Sequence, residues 1–296
     1  MTGVRPVRLI HDKRAAGWSE TDIDHFFLER FDCSEQKYQM AKAIADLQEP
    51  ILKVGSAPKT YSLYIGIPFC PSICLYCSFG SHVLSRWEHM VDPYLDALIK
   101  ELIFISENMK DYTLDTIYIG GGTPTTLNAA QMERLLTKVT ELFPMEQVQE
   151  FTVEAGRPDT INEEVLKAIR KFPVTRISIN PQTMNQETLD IIGRRHTVQE
   201  TEQAFKLARE CGFDNINMDL IVGLPGEDAE MVKRTLEKVK KLAPESLTVH
   251  TLAIKRAAHL KQEMDKYSFA GDVDEQLSLV GQAAEELGLA PYYLYR

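Results

Sequence analysis

An α/β fold is predicted, an incomplete (β/α)6 barrel behind a small, mainly helical N-terminal extension. Two observations carry that expectation. From about Tyr61 onward, short β-branched and aromatic runs alternate with amphipathic helical stretches. Parallel neighbours need a crossover connection, so this alternation favours a parallel sheet with helices outside it. The strand-like runs also number six, at 62–67, 115–119, 150–153, 175–179, 217–222 and 247–252, fewer than the eight of a closed barrel.

The helical pattern between the runs is clear. Met132, Leu135, Leu136, Val139 and Leu142 fall on one face, and Val232, Leu236 and Val239 do the same before Ala243 and Pro244 end the segment. Residues 1–60 read differently, with helical patches at 23–31 and 38–47 and a loop at 55–59. They are assigned to the extension, and residues 61–296 to the barrel. A last helix is expected over 272–287, followed by the aromatic run from Pro291 to Arg296.

With 296 residues, 44% of them hydrophobic, the chain can bury a large core. A net charge of -10 makes nonspecific attraction to nucleic acid or anionic membrane a poor account of its activity. No apolar run is long enough for a membrane span, and the first twenty residues carry scattered charges instead of a secretory apolar core, so a cytoplasmic location is expected. Of the five cysteines, Cys70, Cys74 and Cys77 lie within eight positions. That clustering suits reduced thiolates serving as metal ligands better than a disulfide framework.

In a β/α barrel the chemistry sits at the carboxyl ends of the strands. The cysteines stand there, in a C-x3-C-x2-C spacing just after the first strand, where Pro68 and Pro71 restrict the loop. So short a loop can wrap three thiolates around one face of a 4Fe-4S cube and leave the fourth iron open. Spacing alone also admits buried structural thiols, or a zinc site completed by His82.

Further candidates follow the other strands. Gly120, Gly121 and Gly122 would let backbone approach a ligand closely, and Thr123 adds a hydroxyl. Glu154 and Gln182 end the third and fourth strands, where they could hydrogen-bond ligand hydroxyls or simply cap a loop. Arg194, in the Gly193-Arg194-Arg195-His196 segment, could clamp a carboxylate. Asp219 is one acid in an apolar strand, so it needs a polar partner or a place at the barrel mouth. His250 reads as a structural histidine, Cys211 as a core residue, and Cys33 is assigned no role.

The cysteine motif, in this order with the others, resembles the signature of the radical S-adenosylmethionine superfamily. Finer motifs resemble the oxygen-independent coproporphyrinogen III oxidases and their relatives. These are Tyr64-x-x-Ile-Pro-Phe-Cys70, the Gly-Gly-Gly-Thr-Pro-Thr run, Arg176-x-Ser-x-x-x-Gln182 and Asp219-Leu-Ile-x-Gly-Leu-Pro, and the likeness covers about Tyr61 to Ala253. It implies a radical SAM type partial barrel with a 4Fe-4S cluster on Cys70, Cys74 and Cys77. S-adenosylmethionine would contact Tyr64, Gly121, Gly122, Thr123, Glu154, Gln182, Arg194, Asp219 and Ala253, with Tyr76 beside a second cofactor molecule.

The implied activity is an oxidoreductase reaction of haem biosynthesis. A 5'-deoxyadenosyl radical takes hydrogen from a propionate β-carbon of coproporphyrinogen III, carbon dioxide leaves, and two such events give protoporphyrinogen IX. The implied partners are a tetrapyrrole and an electron donor such as flavodoxin or ferredoxin, with no nucleic acid. Three features depart from the pattern. Phe79 stands where the best-known oxidases carry a further cysteine, Gly66 replaces a histidine before the Ile-Pro-Phe-Cys motif, and the chain stops at Arg296 although relatives continue into a region covering the barrel mouth. Related haem chaperones also lack the extra cysteine, so a haem-binding protein without decarboxylase activity is the alternative.

Overall fold

The computed structural model describes residues 5–55, 57–269 and 271–294. The end of the aromatic run, Tyr295 and Arg296, lies outside the described residues. The chain forms two compact units, residues 61–289 and residues 1–60 together with 290–296.

The smaller unit is helical, with helices at Pro6–Ala15, Glu20–His25 and Glu35–Gly55 and a π-turn at Phe26–Arg30. Ser19 caps the second helix by accepting from the Asp22 amide. The core gathers Val7, Ile10, Ile23, Phe27, Tyr38, Ala41 and Ile44, with the Phe27 and Tyr38 rings stacked at 5.2 Å. Cys33 is buried in the same cluster. The long helix runs past the patch expected at 38–47 and carries Pro50 inside it. Proline removes one i→i−4 bond, which a helix with a buried apolar stripe can tolerate.

The larger unit is built on six strands: β1 (Thr60–Ile67), β2 (Thr113–Gly121), β3 (Glu150–Gly156), β4 (Arg176–Gln182), β5 (Ile216–Val222) and β6 (Ser246–Thr251). They lie side by side in chain order as a curled half-barrel. The expected partial barrel is therefore observed. Parallel register is seen in Ile117 opposite Phe151, Ile177 opposite Ile216, and Ile221 opposite His250.

Crossovers are made by α1 (Val91–Asn108), α2 (Ala129–Leu142), α3 (Glu163–Arg170), α4 (Val198–Glu210) and α5 (Ala229–Leu242). Capping boxes start two of them, Asn128 with Gln131 and Thr197 with Glu200. A final helix, α6 (Val273–Glu286), is anchored by Gln276, whose side-chain oxygen accepts from the Gly223 amide at 2.8 Å.

Alternation along each strand divides the sheet into two faces. Ile65, Ile67, Ile117, Ile119, Phe151, Val153, Ile177, Ile179 and Met218 are all buried in the core they share with the helices. Each such side chain contributes roughly 1.5–3 kcal/mol through burial. The opposite face carries Tyr64, Tyr118, Glu154, Ser178, Asn217, Asp219 and Thr248, joined by hydrogen bonds. Asn217 donates to Ser178 Oγ at 3.2 Å and to Asp219 Oδ1 at 2.6 Å, and its carbonyl accepts from Thr248 at 3.0 Å. Cys211 caps α4 at the margin of the core.

Candidate active site

The cysteine loop is clasped by short-range pairing that the sequence pattern does not reveal. Phe69–Cys70 pairs with His82–Val83, and the His82 amide donates to Pro68 O at 2.7 Å, closing the loop that carries the other two thiols. Cys70 and Cys74 are buried and Cys77 half-buried. Burial pushes the Cys77 thiol up.

The glycine turn after β2 seats this loop. Gly122 N donates to Ile67 O and Thr123 N to Phe69 O, each at 2.8 Å. A Cβ on Gly122 would stand 2.6 Å from Phe69 O and 3.0 Å from Cys70 Sγ, so only glycine fits there. Gly121 has φ +112 and packs against Ile67. Thr123 is buried, with its hydroxyl 3.5 Å from Cys70 Sγ. Those two amides are thus already engaged, and what the turn can still offer a ligand amine is carbonyl oxygen.

Two buried guanidiniums face the loop. Arg194 donates to the Asn180 carbonyl and lies against Tyr76 and Cys74, which hold it protonated despite burial. Burial raises the Tyr76 phenol, and Arg194 works against that. Arg157, just past β3, is the guanidinium that the sequence pattern does not single out. It donates through Nη1 to Ser72 O at 3.1 Å, to Ser72 Oγ at 2.8 Å and to Cys74 Sγ at 3.8 Å. Its other nitrogens fork onto Asp159 at 2.9 and 2.7 Å. The available signal was an arginine just past a barrel strand, followed by Pro158 and an acid.

Leu75 completes the strapping. Its amide donates to Ile192 O and its carbonyl accepts from Leu260 N, both at 2.9 Å. The segments following β4 and β6 are thereby both tied to the cysteine loop.

On the inner face Glu154 accepts a hydrogen bond from the Tyr118 hydroxyl, and the exposed Tyr64 ring stacks on Tyr118 at 5.8 Å and 9°. Burial pushes the Glu154 carboxyl up to about 7, with a smaller push from Asp219. Asp219 has the polar partner expected of it, Asn217, and is itself raised by burial while His250 opposes the rise. Gln182 takes a left-handed backbone, φ 70, at the end of β4, and its side-chain oxygen is buried without a partner. Arg194 Nε is likewise unpartnered, as are both nitrogens of the fully buried His196. Burial, then Arg194, lowers His196 to about 4, so it is neutral. Ala253 is exposed two residues past β6.

The donor set can be tested against its alternatives. Among the described residues no three His, Cys, Asp or Glu side chains converge closely enough to ligate one ion. A tetrahedral zinc requires such convergence, whereas thiolates on a 4Fe-4S cube each bind a different iron and stay further apart. Three thiols under two guanidiniums suit an anionic cluster, and the orphaned atoms of Gln182 and Arg194 suit a polar ligand beside it.

Comparison with known proteins agrees with this arrangement. The description of the Radical SAM superfamily matches residues 64–239, and the chain belongs to that superfamily. The oxygen-independent coproporphyrinogen-III oxidase-like protein HemZ of Bacillus subtilis is 41% identical over 100% of this chain and 60% of its own. The heme chaperone HemW of Lactococcus lactis is 40% identical over 66% of this chain and 50% of its own. The structure of coproporphyrinogen III oxidase (HemN) from Escherichia coli superposes with a TM-score of 0.67 at 29% identity, covering 81% of this chain and 55% of that one. The chain thus spans between half and three fifths of the length of these relatives. The cofactors of its superfamily are a 4Fe-4S cluster and S-adenosylmethionine. No described helix is long and apolar enough to cross a membrane.

Proposed function

We propose that this chain is a radical S-adenosylmethionine oxidoreductase that decarboxylates the propionates of a porphyrinogen of the coproporphyrinogen III type, in haem biosynthesis. The observation that carries the reading is the cysteine loop, strapped through Arg157 to the end of β3, the strand that bears Glu154, and through Leu75 to the segments that follow β4 and β6. The likeness to the oxidase-like HemZ along the entire chain points to the substrate class.

Cys70, Cys74 and Cys77 would hold the cluster, and Gly121, Gly122, Thr123, Glu154, Gln182, Arg194, Asp219 and Ala253, with Tyr64 and Tyr76, are the positions for S-adenosylmethionine. When bound, these groups supply a hydrogen-abstracting carbon radical. The protein's share of the work is placement and charge. Arg157 and Arg194 offset the negative charge of thiolates at Cys74. Gln182 offers a buried acceptor, and Glu154 can hold or release a proton near neutrality. Each propionate loses a β-hydrogen atom, carbon dioxide and one electron, which an external acceptor takes, and a vinyl group remains. A cytoplasmic location and a flavodoxin or ferredoxin donor belong to the same proposal.

The test is anaerobic reconstitution followed by incubation of the reduced protein with S-adenosylmethionine and coproporphyrinogen III. Formation of 5'-deoxyadenosine together with vinyl product is expected. 5'-Deoxyadenosine without vinyl product would refute the decarboxylase and keep the radical chemistry. A second reading, haem binding without decarboxylation, is favoured by Phe79 at the extra-cysteine position and by the likeness to HemW. Haem retained through gel filtration, with no vinyl product, would support it.

A further inference from the structure

Three exposed cations lie in the two segments that are hydrogen-bonded to the cysteine loop. Lys255 and Arg256 occupy a turn just past β6, closed by Ala258 N donating to Lys255 O at 3.2 Å. Leu260, two residues after Ala258, is fully buried and hydrogen-bonds Leu75, so the segment that carries this basic turn is tied to the loop. On the other side Leu75 bonds Ile192, Ser72 bonds Gly193 O at 3.2 Å, and Arg195 follows two residues later, also exposed. Among the described residues none of the three cations has a side-chain hydrogen bond or ion pair.

The inner face of the half-barrel carries acids. Glu154 and Asp219 stand there, bonded to Tyr118 and Asn217, and Glu150 at the start of β3 is ion-paired with Arg176 at 3.5 Å. A ligand bearing several carboxylates gains nothing from entering such a lumen and is repelled by a chain of net charge -10. It would present one edge to the reacting site and needs cations at the rim for its remaining carboxylates. We infer that Lys255, Arg256 and Arg195 form a carboxylate-binding rim that selects a polycarboxylate tetrapyrrole and orients it over the cysteine loop. This rests on the porphyrinogen reading above and adds the residues that set substrate class.

The experiment titrates coproporphyrin III, the stable tetracarboxylate, into the reconstituted full chain and follows porphyrin fluorescence. Wild type is expected to bind with an affinity that falls as salt is raised. The Lys255→Glu/Arg256→Glu pair and Arg195→Glu are each expected to weaken binding about tenfold, in line with the loss and reversal of exposed ion pairs. The exchange Lys255→Arg/Arg256→Lys should restore most of it. Iron content equal to wild type verifies an intact loop, and the milder Lys255→Gln/Arg256→Gln pair replaces any variant that loses iron. Unchanged affinity in variants that retain iron would overturn the rim while leaving the porphyrinogen reading standing. A wild-type chain with cluster and S-adenosylmethionine bound that ignores coproporphyrin III would overturn the rim, whereas the porphyrinogen reading is decided separately by the vinyl-product assay.

Discussion

Arg157 reaches from the end of β3 to Cys74, with Nη1 3.8 Å from the sulfur, while the same guanidinium forks onto Asp159. A side chain only 3% exposed thus spans the cysteine loop and the barrel strand that faces it.

Removing that guanidinium leaves Asp159 uncompensated. Burial alone would raise this carboxyl, yet the Arg157 bridge holds it below the usual range. Arg157→Met should cost about 3 kcal/mol in urea unfolding of the apo-chain at neutral pH. Because the folded pKa is depressed, the bridge contributes fully above the unfolded pKa and is lost as pH falls through the folded one. Wild type and Arg157→Met should therefore converge in acid. Iron per chain after reconstitution should also fall in the variant, with Arg157→Lys intermediate.

Gly122→Ala places a methyl group 2.6 Å from a backbone oxygen that cannot yield cheaply. A loss of about 1–3 kcal/mol is expected, together with poor cluster retention. Gly281→Ala in α6 meets nothing within 4 Å and should stabilise by about 0.5–1 kcal/mol. Equal effects from the two substitutions would contradict the seating described for the glycine turn.

Glu154 supplies a pH signature. Its folded pKa, pushed up to about 7, exceeds the unfolded value, so the folded chain binds more protons and stability falls as pH rises through that window. Glu154→Gln removes the ionisation. In the cofactor-free chain the urea midpoint of wild type should drop between about pH 5 and 8, and that of the variant should change less. Parallel curves would refute the buried carboxyl.

Single alanine substitutions separate ligands from bystanders. Cys70→Ala, Cys74→Ala and Cys77→Ala should each lose most iron and the brown colour, whereas Cys33→Ala and Cys211→Ala should retain both. Cys33→Ala should still lower stability by about 1 kcal/mol, since that thiol is buried in the helical unit. Iron loss in either bystander would reassign the ligands.

Much was legible in the linear pattern because it depends on local periodicity and on order. Alternation of period 2 with period 3.6 marked six strands and their crossovers, and crossover geometry leaves parallel pairing as the economical solution. The C-x3-C-x2-C spacing and the motifs after successive strands named the residues that reach one rim, since every parallel strand delivers its carboxyl end to the same side. What needed three dimensions was each contact between residues distant in sequence. Nothing in the sequence tells that Arg157 lies on Ser72, that Leu75 joins Ile192 to Leu260, or that Gly122 is pressed against Cys70. Buried carboxyls and orphaned atoms belong to the same class, because desolvation is a property of what packs around Glu154, Gln182 and His196, and that is decided only when the sheet curls.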